Sequence, residues 1–325
     1  MPRFYLCLVF IVWSWSSYGQ SCCSGGVPLS NNLGMPGAEA GVLQFSLSYD
    51  YNNLNTLRAG WQRLSDNSRE RNTHSALLNW SISLSKRFSL EGIFSYLQQE
   101  RRIVQSVGTD VTRASGIGDA VFLLNYNIFS TPDLSTSWRA AIGVKTPLGA
   151  FDRRNNQDLI LNAELQPGSG AWDIILWTQW SQSFTFRPSL GYNLTVAYSR
   201  KGENDAYLGS QLYRFGNEIQ VSAGIADRLF LGSIIFDPGL TFRYRNAGAD
   251  LFNNFDLPAT GGEWIFMEPS IAYWLTPDLS FNFSASFPVM AFVQDTQFSP
   301  TIRTTVGFFH RLSLWGGNNF ELKKF

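Results

Sequence analysis

Alternation between bulky apolar and small polar residues, with a period of two, recurs through most of this chain and constrains its fold more than any other feature. That pattern belongs to a β-strand whose two faces meet unlike surroundings. From 43 to 51 the odd positions are Leu43, Phe45, Leu47, Tyr49 and Tyr51, while the even ones are Gln44, Ser46, Ser48 and Asp50. Between 76 and 85 the phase is reversed, with Ala76, Leu78, Trp80, Ile82 and Leu84 set against Ser81, Ser83 and Ser85. A third run sets Phe186, Pro188, Leu190, Tyr192, Leu194, Val196 and Tyr198 against Arg187, Ser189, Gly191, Asn193 and Thr195. Twelve segments of this kind are predicted, at about 42–51, 76–85, 88–97, 119–129, 137–146, 171–181, 186–198, 214–225, 232–245, 264–275, 279–290 and 301–312. Several have the roughly 9–11 residues a tilted strand needs to cross a bilayer.

The connections separate a membrane barrel from a soluble one. After odd-numbered segments they are long (52–75, 98–118, 147–170, 199–213, 246–263), with 291–300 the shortest. After even-numbered segments they are tight: Lys86-Arg87, 130–136, 182–185, 226–231 and 276–278. Long loops at one end and short turns at the other mark a bacterial outer-membrane barrel with its turns in the periplasm. A soluble sandwich or lipocalin-like barrel would also alternate, but its wet face should be rich in Lys and Glu. Here the polar face carries mainly Ser, Asn, Gly and Thr, and only 15% of all residues are charged, against about 25% in soluble domains. Aromatics gather toward segment ends: Tyr49, Tyr51, Tyr96, Trp172, Tyr198 and Tyr244 at one end, Tyr126, Trp138, Trp180, Phe186 and Tyr273 at the other. Two such groups match the girdles at the two membrane interfaces. The expected fold is therefore all-β, a single closed antiparallel transmembrane barrel of about twelve strands.

The N-terminus places one basic residue, Arg3, before an apolar run from Phe4 to Trp13 and small residues near Gly19. This is the pattern of a secretory signal peptide over 1–19. Residues 20–40, rich in Gly, Ser, Pro and Asn, read as a flexible leader or plug, 41–312 as the barrel, and 313–325 as a tail. Cys22 and Cys23 would lie in an oxidising compartment; a vicinal disulfide, other thiol partners or a metal are open to them, with a plain tether the favoured reading. The net charge of +0 gives nucleic acid no electrostatic footprint, so none is expected as a partner.

Chemistry finds little support. Serine hydrolysis needs a base within reach of its nucleophile, and the two histidines, His74 and His310, fall at opposite ends of their segments. Asp250, Asn253, Asn254 and Asp256 share one loop but lack a calcium-loop order, and are expected to be solvated. Gly116, Gly118 and Asp119 are followed by a strand rather than the helix of a phosphate loop. No enzyme activity, metal or cofactor is expected. Pointing the small-residue face inward makes Glu91, Asp119, Arg139, Lys145, Asp173, Arg187, Glu218, Arg243, Arg245, Glu268 and Arg303 the channel-lining charges. The turn near Asp133 brings Asp119 diagonal to Lys145, within reach of a cross-strand ion pair. Both signs occur in similar numbers, which argues against strong ion selectivity.

Several short motifs carry a family resemblance: Ser115-Gly116-Ile117-Gly118-Asp119-Ala120, Lys145-Thr146-Pro147-Leu148-Gly149, Leu165-Gln166-Pro167-Gly168-Ser169-Gly170, and Glu268-Pro269-Ser270 leading to Leu275-Thr276-Pro277. Together, over about 40–310, they resemble the outer-membrane transporters named after the meta-pathway of phenol degradation. That resemblance implies a barrel importing small hydrophobic or aromatic compounds and carries no catalytic residues. Phe325 is a terminal aromatic of the kind barrel-assembly machinery reads, although Lys323 and Lys324 beside it weaken that signal. The sequence thus points to an outer-membrane channel for passive uptake, with lipid, assembly machinery and a small solute as partners. The alternative is a structural or surface-interaction barrel with a closed lumen.

Overall fold

A computed structural model describes residues 33–314, apart from 38, 67 and 107. The signal segment, Cys22, Cys23, most of the leader and the tail beyond 314 lie outside the described residues. Twelve long strands form the wall: β1 Val42–Leu54, β2 Arg69–Ser83, β3 Phe88–Gln105, β4 Ala120–Ser130, β5 Thr136–Thr146 and β6 Asp173–Phe184. They continue as β7 Arg187–Arg200, β8 Glu218–Ala226, β9 Ile234–Ala247, β10 Gly262–Thr276, β11 Leu279–Ser299 and β12 Ile302–Ser313. Each pairs antiparallel with the next. β12 returns to β1, from Val42↔Ser313 to Asn53↔Ile302, and the cylinder closes with no free edge in the wall.

The faces follow the sequence phase. Leu47, Leu78, Leu124, Leu194 and Phe308 point outward and are exposed, as lipid contact requires. Their neighbours Gln44, Ser81, Glu91 and Asn125 are buried inside. In β11 a bulge opposite Ile265 and Phe266 shifts the register and with it the parity of the inner face. Ser286 is buried before it, Ala291 and Val293 after it.

Three strands outrun the predicted segments on the loop side. β2 begins at Arg69 rather than 76, β3 runs to Gln105 rather than 97, and β11 runs to Ser299 rather than 290. The link 98–118 is no loop: a strand at Gly108–Ile117 returns along β3, from Gln105↔Gly108 to Tyr96↔Ile117. The short link 291–300 is likewise strand, leaving a two-residue turn before β12. The β2 and β3 extensions are largely polar on both faces, as in Gln98-Gln99-Glu100-Arg101-Arg102, so they lack the alternation that a lipid boundary imposes. The β11 extension instead starts with Ala291 and Val293 buried inside. Other outer links fold too. Asn204–Tyr207, Gln211–Arg214, Leu251–Phe252 and Phe255–Asp256 form a small four-stranded sheet. Its last turn rests on Asn253 and Asn254, both at positive φ, as a two-residue hairpin turn demands.

Candidate functional site: the lumen

A belt of alternating charges runs around the inside of the barrel. Asp119, just before β4, lies 3.1 Å from Lys145 on β5, which lies 3.1 Å from Asp173 on β6. Asp173 in turn meets Lys201, just beyond β7, at 3.3 Å. On the other wall Arg245 of β9 pairs with Glu218 of β8 at 2.9 Å. Arg243 reaches Glu268 of β10 at 2.6 Å, and Ser286 of β11 donates to the same carboxylate. Arg303 of β12 meets Asp50 of β1 at 2.6 Å, with Thr305 donating beside it. Arg243 and Arg245 also lie over the rings of Phe266 and Trp264. Burial makes each charge dependent on its partner, since a buried ion left alone costs several kcal/mol.

Ten of the eleven expected lining charges face inward in this network or beside it. Arg187 is the exception. Its side chain is 48% exposed at the turn-end rim, paired with Asp227 of the following turn, because the register breaks between Arg187 and Gly191. Asp250 was expected in solvent and is instead buried, accepting from the Tyr213 hydroxyl at 2.6 Å and the Gly216 amide at 2.8 Å. Burial raises its carboxyl to about 6 despite those donors. Burial also raises the Glu164 carboxyl, against the opposing pull of Arg71 and Arg101. His74 receives the Tyr49 hydroxyl at 2.6 Å in the outer half, and His310 sits by the Asp278 carbonyl at the turn end.

The interior is not uniformly polar. Ile93, Val121, Leu123, Ala141, Ile175 and Trp177 form a buried apolar patch on the β3–β6 wall. Alternation alone misses them because Val121-Phe122-Leu123-Leu124 and Ile174-Ile175-Leu176-Trp177 are apolar on both faces. Such unbroken runs signal a strand buried on both sides. Arg139 stands at the edge of this patch, over the Trp177 ring and donating to Gln179.

Asp119 holds more than Lys145. Its two oxygens accept the Gly149 amide at 3.0 Å, the Ser169 amide at 3.0 Å and the Ser169 hydroxyl at 2.7 Å. Both ends of the link 147–172 are thereby pinned into the barrel. Its middle turns inward as well, burying Leu161, Leu165 and Gln166. Gln166 accepts from Arg153 and donates to Leu161, and its carbonyl receives Gln99. Gly149 and Gly168 pack backbone to backbone, so that a Cβ on Gly168 would lie 2.4 Å from Gly149. No side chain fits there. The Gly118-Asp119, Lys145–Gly149 and Gly168-Ser169 motifs, scattered over some fifty residues, therefore meet in one buried cluster.

Residues 86–297 match the family described as "Putative MetA-pathway of phenol degradation". The chain belongs to this family. An outer-membrane channel from Pseudomonas putida F1, described as COG4313, shares the fold at a TM-score of 0.66 and 12% identity, covering 88% of this chain and 100% of the other. The β domain of the Bordetella autotransporter BrkA (TM-score 0.45, 7% identity, 82% and 99% covered) is looser. So is the CymD monoaromatic hydrocarbon channel (TM-score 0.42, 8% identity, 85% and 89% covered); at such scores neither bears on this chain. No curated protein matches it. The family match and the closed wall together make this chain a barrel of the bacterial outer membrane with the fold of an outer-membrane channel.

Proposed function

We propose that this family barrel is a passive channel for uptake of small molecules, apolar or aromatic ones among them. The observation that carries the reading is the apolar patch of Ile93, Val121, Leu123, Ile175 and Trp177 on the lumen side, flanked by a charge belt of balanced sign. An apolar inner wall offers a neutral solute a surface that bulk water does not, and paired charges give little ion selectivity. The buried ring charges, with Arg187 at the rim, are read as the lining of that path. The outward face is read as lipid contact, and assembly machinery as a folding partner. No chemical step is assigned, since His74 and His310 stand at opposite ends of the barrel.

Purified full-length chain in liposomes should admit an uncharged aromatic tracer faster than a sugar of similar size. Permeability equal to that of protein-free liposomes for both would overturn the reading. A second reading, a closed barrel acting through its outer surface, is favoured by one feature: the inward-folded link 147–172 occupies the outer mouth. It predicts a correctly folded barrel that admits neither solute.

A further inference from the structure

The leader's first described residues, Leu33 to Met35, lie inside the barrel. Gly34 donates its amide to Glu91 Oε1 at 3.0 Å and Met35 donates to Oε2 at 3.2 Å. The Met35 carbonyl accepts from Arg139 Nη1 at 2.6 Å. Leu33 packs on the apolar patch, and Met35 is 8% exposed. Gly34 has φ +83, and a Cβ there would fall 2.1 Å from the Trp177 ring. Four features of one wall, Glu91 on β3, Arg139 on β5, Trp177 on β6 and the patch between them, thus fit a single stretch of backbone.

We propose that residues 33–37 are a latch, an internal plug segment that Glu91 and Arg139 hold across the lumen and whose release opens the path. The recognition is of main chain rather than of side chains. One carboxylate takes two successive amides and one guanidinium takes the carbonyl that follows, a charge-assisted arrangement stronger than neutral hydrogen bonds. Two buried charges on the wall are satisfied by the segment itself. Asn125 adds only a long 3.4 Å bond to Glu91, and Gln179 takes the other arm of Arg139. The segment covers the apolar patch that the proposed function assigns to solute, so a docked latch and a passing solute compete for one surface. This inference rests on the channel reading.

Two measurements test it. In a background with Cys22→Ser and Cys23→Ser, the thiol of Met35→Cys should react with a soluble maleimide at least tenfold more slowly than that of Asp158→Cys, an exposed loop site. Gly34→Ala, which leaves every lining side chain in place, should expose the position-35 thiol and raise single-channel conductance several-fold. The pair Glu91→Gln with Arg139→Gln should do the same wherever it still folds to a heat-modifiable barrel. Equal reactivity at positions 35 and 158 in the unaltered lining would overturn the latch. So would wild-type conductance in Gly34→Ala with the thiol released. If the wild type conducts in that case, the channel reading stands and the latch alone fails. If neither conducts, both fail.

Discussion

The strands of this barrel cross two environments, and their inner and outer halves are written differently. From the turns to about the charge belt, the strands separate lipid from lumen and most of them alternate, as in Leu190, Tyr192 and Leu194 against Gly191, Asn193 and Thr195, the apolar patch on β4 and β6 apart. Beyond the belt, the projecting parts of β2, β3 and β11 have water outside and folded links inside. There the hairpin of β3 with Gly108–Ile117 pairs as regularly as the wall below it without any apolar stripe. Backbone hydrogen bonding builds both halves. Only the inner one is inscribed in side-chain hydrophobicity, because only there do the two sides differ as solvents.

The largest break in this comparison should come at the junction, where Asp119 ties the wall to the inward-folded link. Asp119→Ala leaves Lys145 and Lys201 to share the single carboxylate of Asp173 and removes three hydrogen bonds to 149 and 169. It should cost about 3–5 kcal/mol, measured by urea unfolding in bilayers, and should admit protease to the link 147–172. Protection equal to wild type would mean the link is held by its apolar contacts instead. Next, Leu194→Arg or Leu124→Arg in the inner half should cost about 2–4 kcal/mol, while Asn193→Arg, facing the lumen, should cost far less. Equal losses at 193 and 194 would break the assigned phase of β7. Gln98→Arg is exposed on the same outward face of β3 but lies beyond the lipid. It should shift stability by no more than about 0.5 kcal/mol, and a larger loss would push the membrane boundary outward.

The smallest expected effect sharpens the outer half alone. Asp250 has its carboxyl raised to about 6 from 3.8, so the folded outer sheet binds a proton more tightly than the opened one. Its contribution is full below about 3.8 and is lost as the pH rises through about 6. Once the intrinsic pH dependence of amide exchange is divided out, protection in 204–214 and 251–256 should therefore fall about tenfold between pH 5 and pH 7, and Asp250→Asn should abolish that fall. Protection that weakens toward acid would show that the Lys201 and Arg245 charges nearby govern the site instead.

Legibility follows the same division. Strand number, order and phase could be read because Leu47, Leu78 and Leu194 must face lipid whatever the loops do. Asp119 and Lys145 could be placed together because a known turn fixed their diagonal. The other partners in the belt could not, since Lys201 and Asp50 reach across loops and the closing seam, where sequence distance says nothing. The exposed rim position of Arg187 could not be foreseen, because a register break of the kind seen beside Pro188 leaves no periodic trace. Asp250 was misread because its burial depends on Tyr213 and Phe252 meeting from separate links. Neither pattern nor composition registers such an encounter.

The hairpin of Thr56–Gly60 with Gln62–Arg63 passes over the end of β12 and adds to β11, pairing Leu57 with Phe298 and Thr56 with Ser299. Thr301 is tied to Asn53, Asn55 and Thr56 beneath it. The join between the first strand and the last is therefore not a plain butt seam but one stitched over at its outer rim. Contacts between the two ends of a chain are the slowest to form, because the whole loop must close before they do. Assembly of this barrel should thus finish at one place, with β1 and β12 zipping and the hairpin folding over afterwards as a fastener. Once it is down, the cylinder can part at that join only by first peeling the hairpin away, so the strands that meet last are also guarded against separating first.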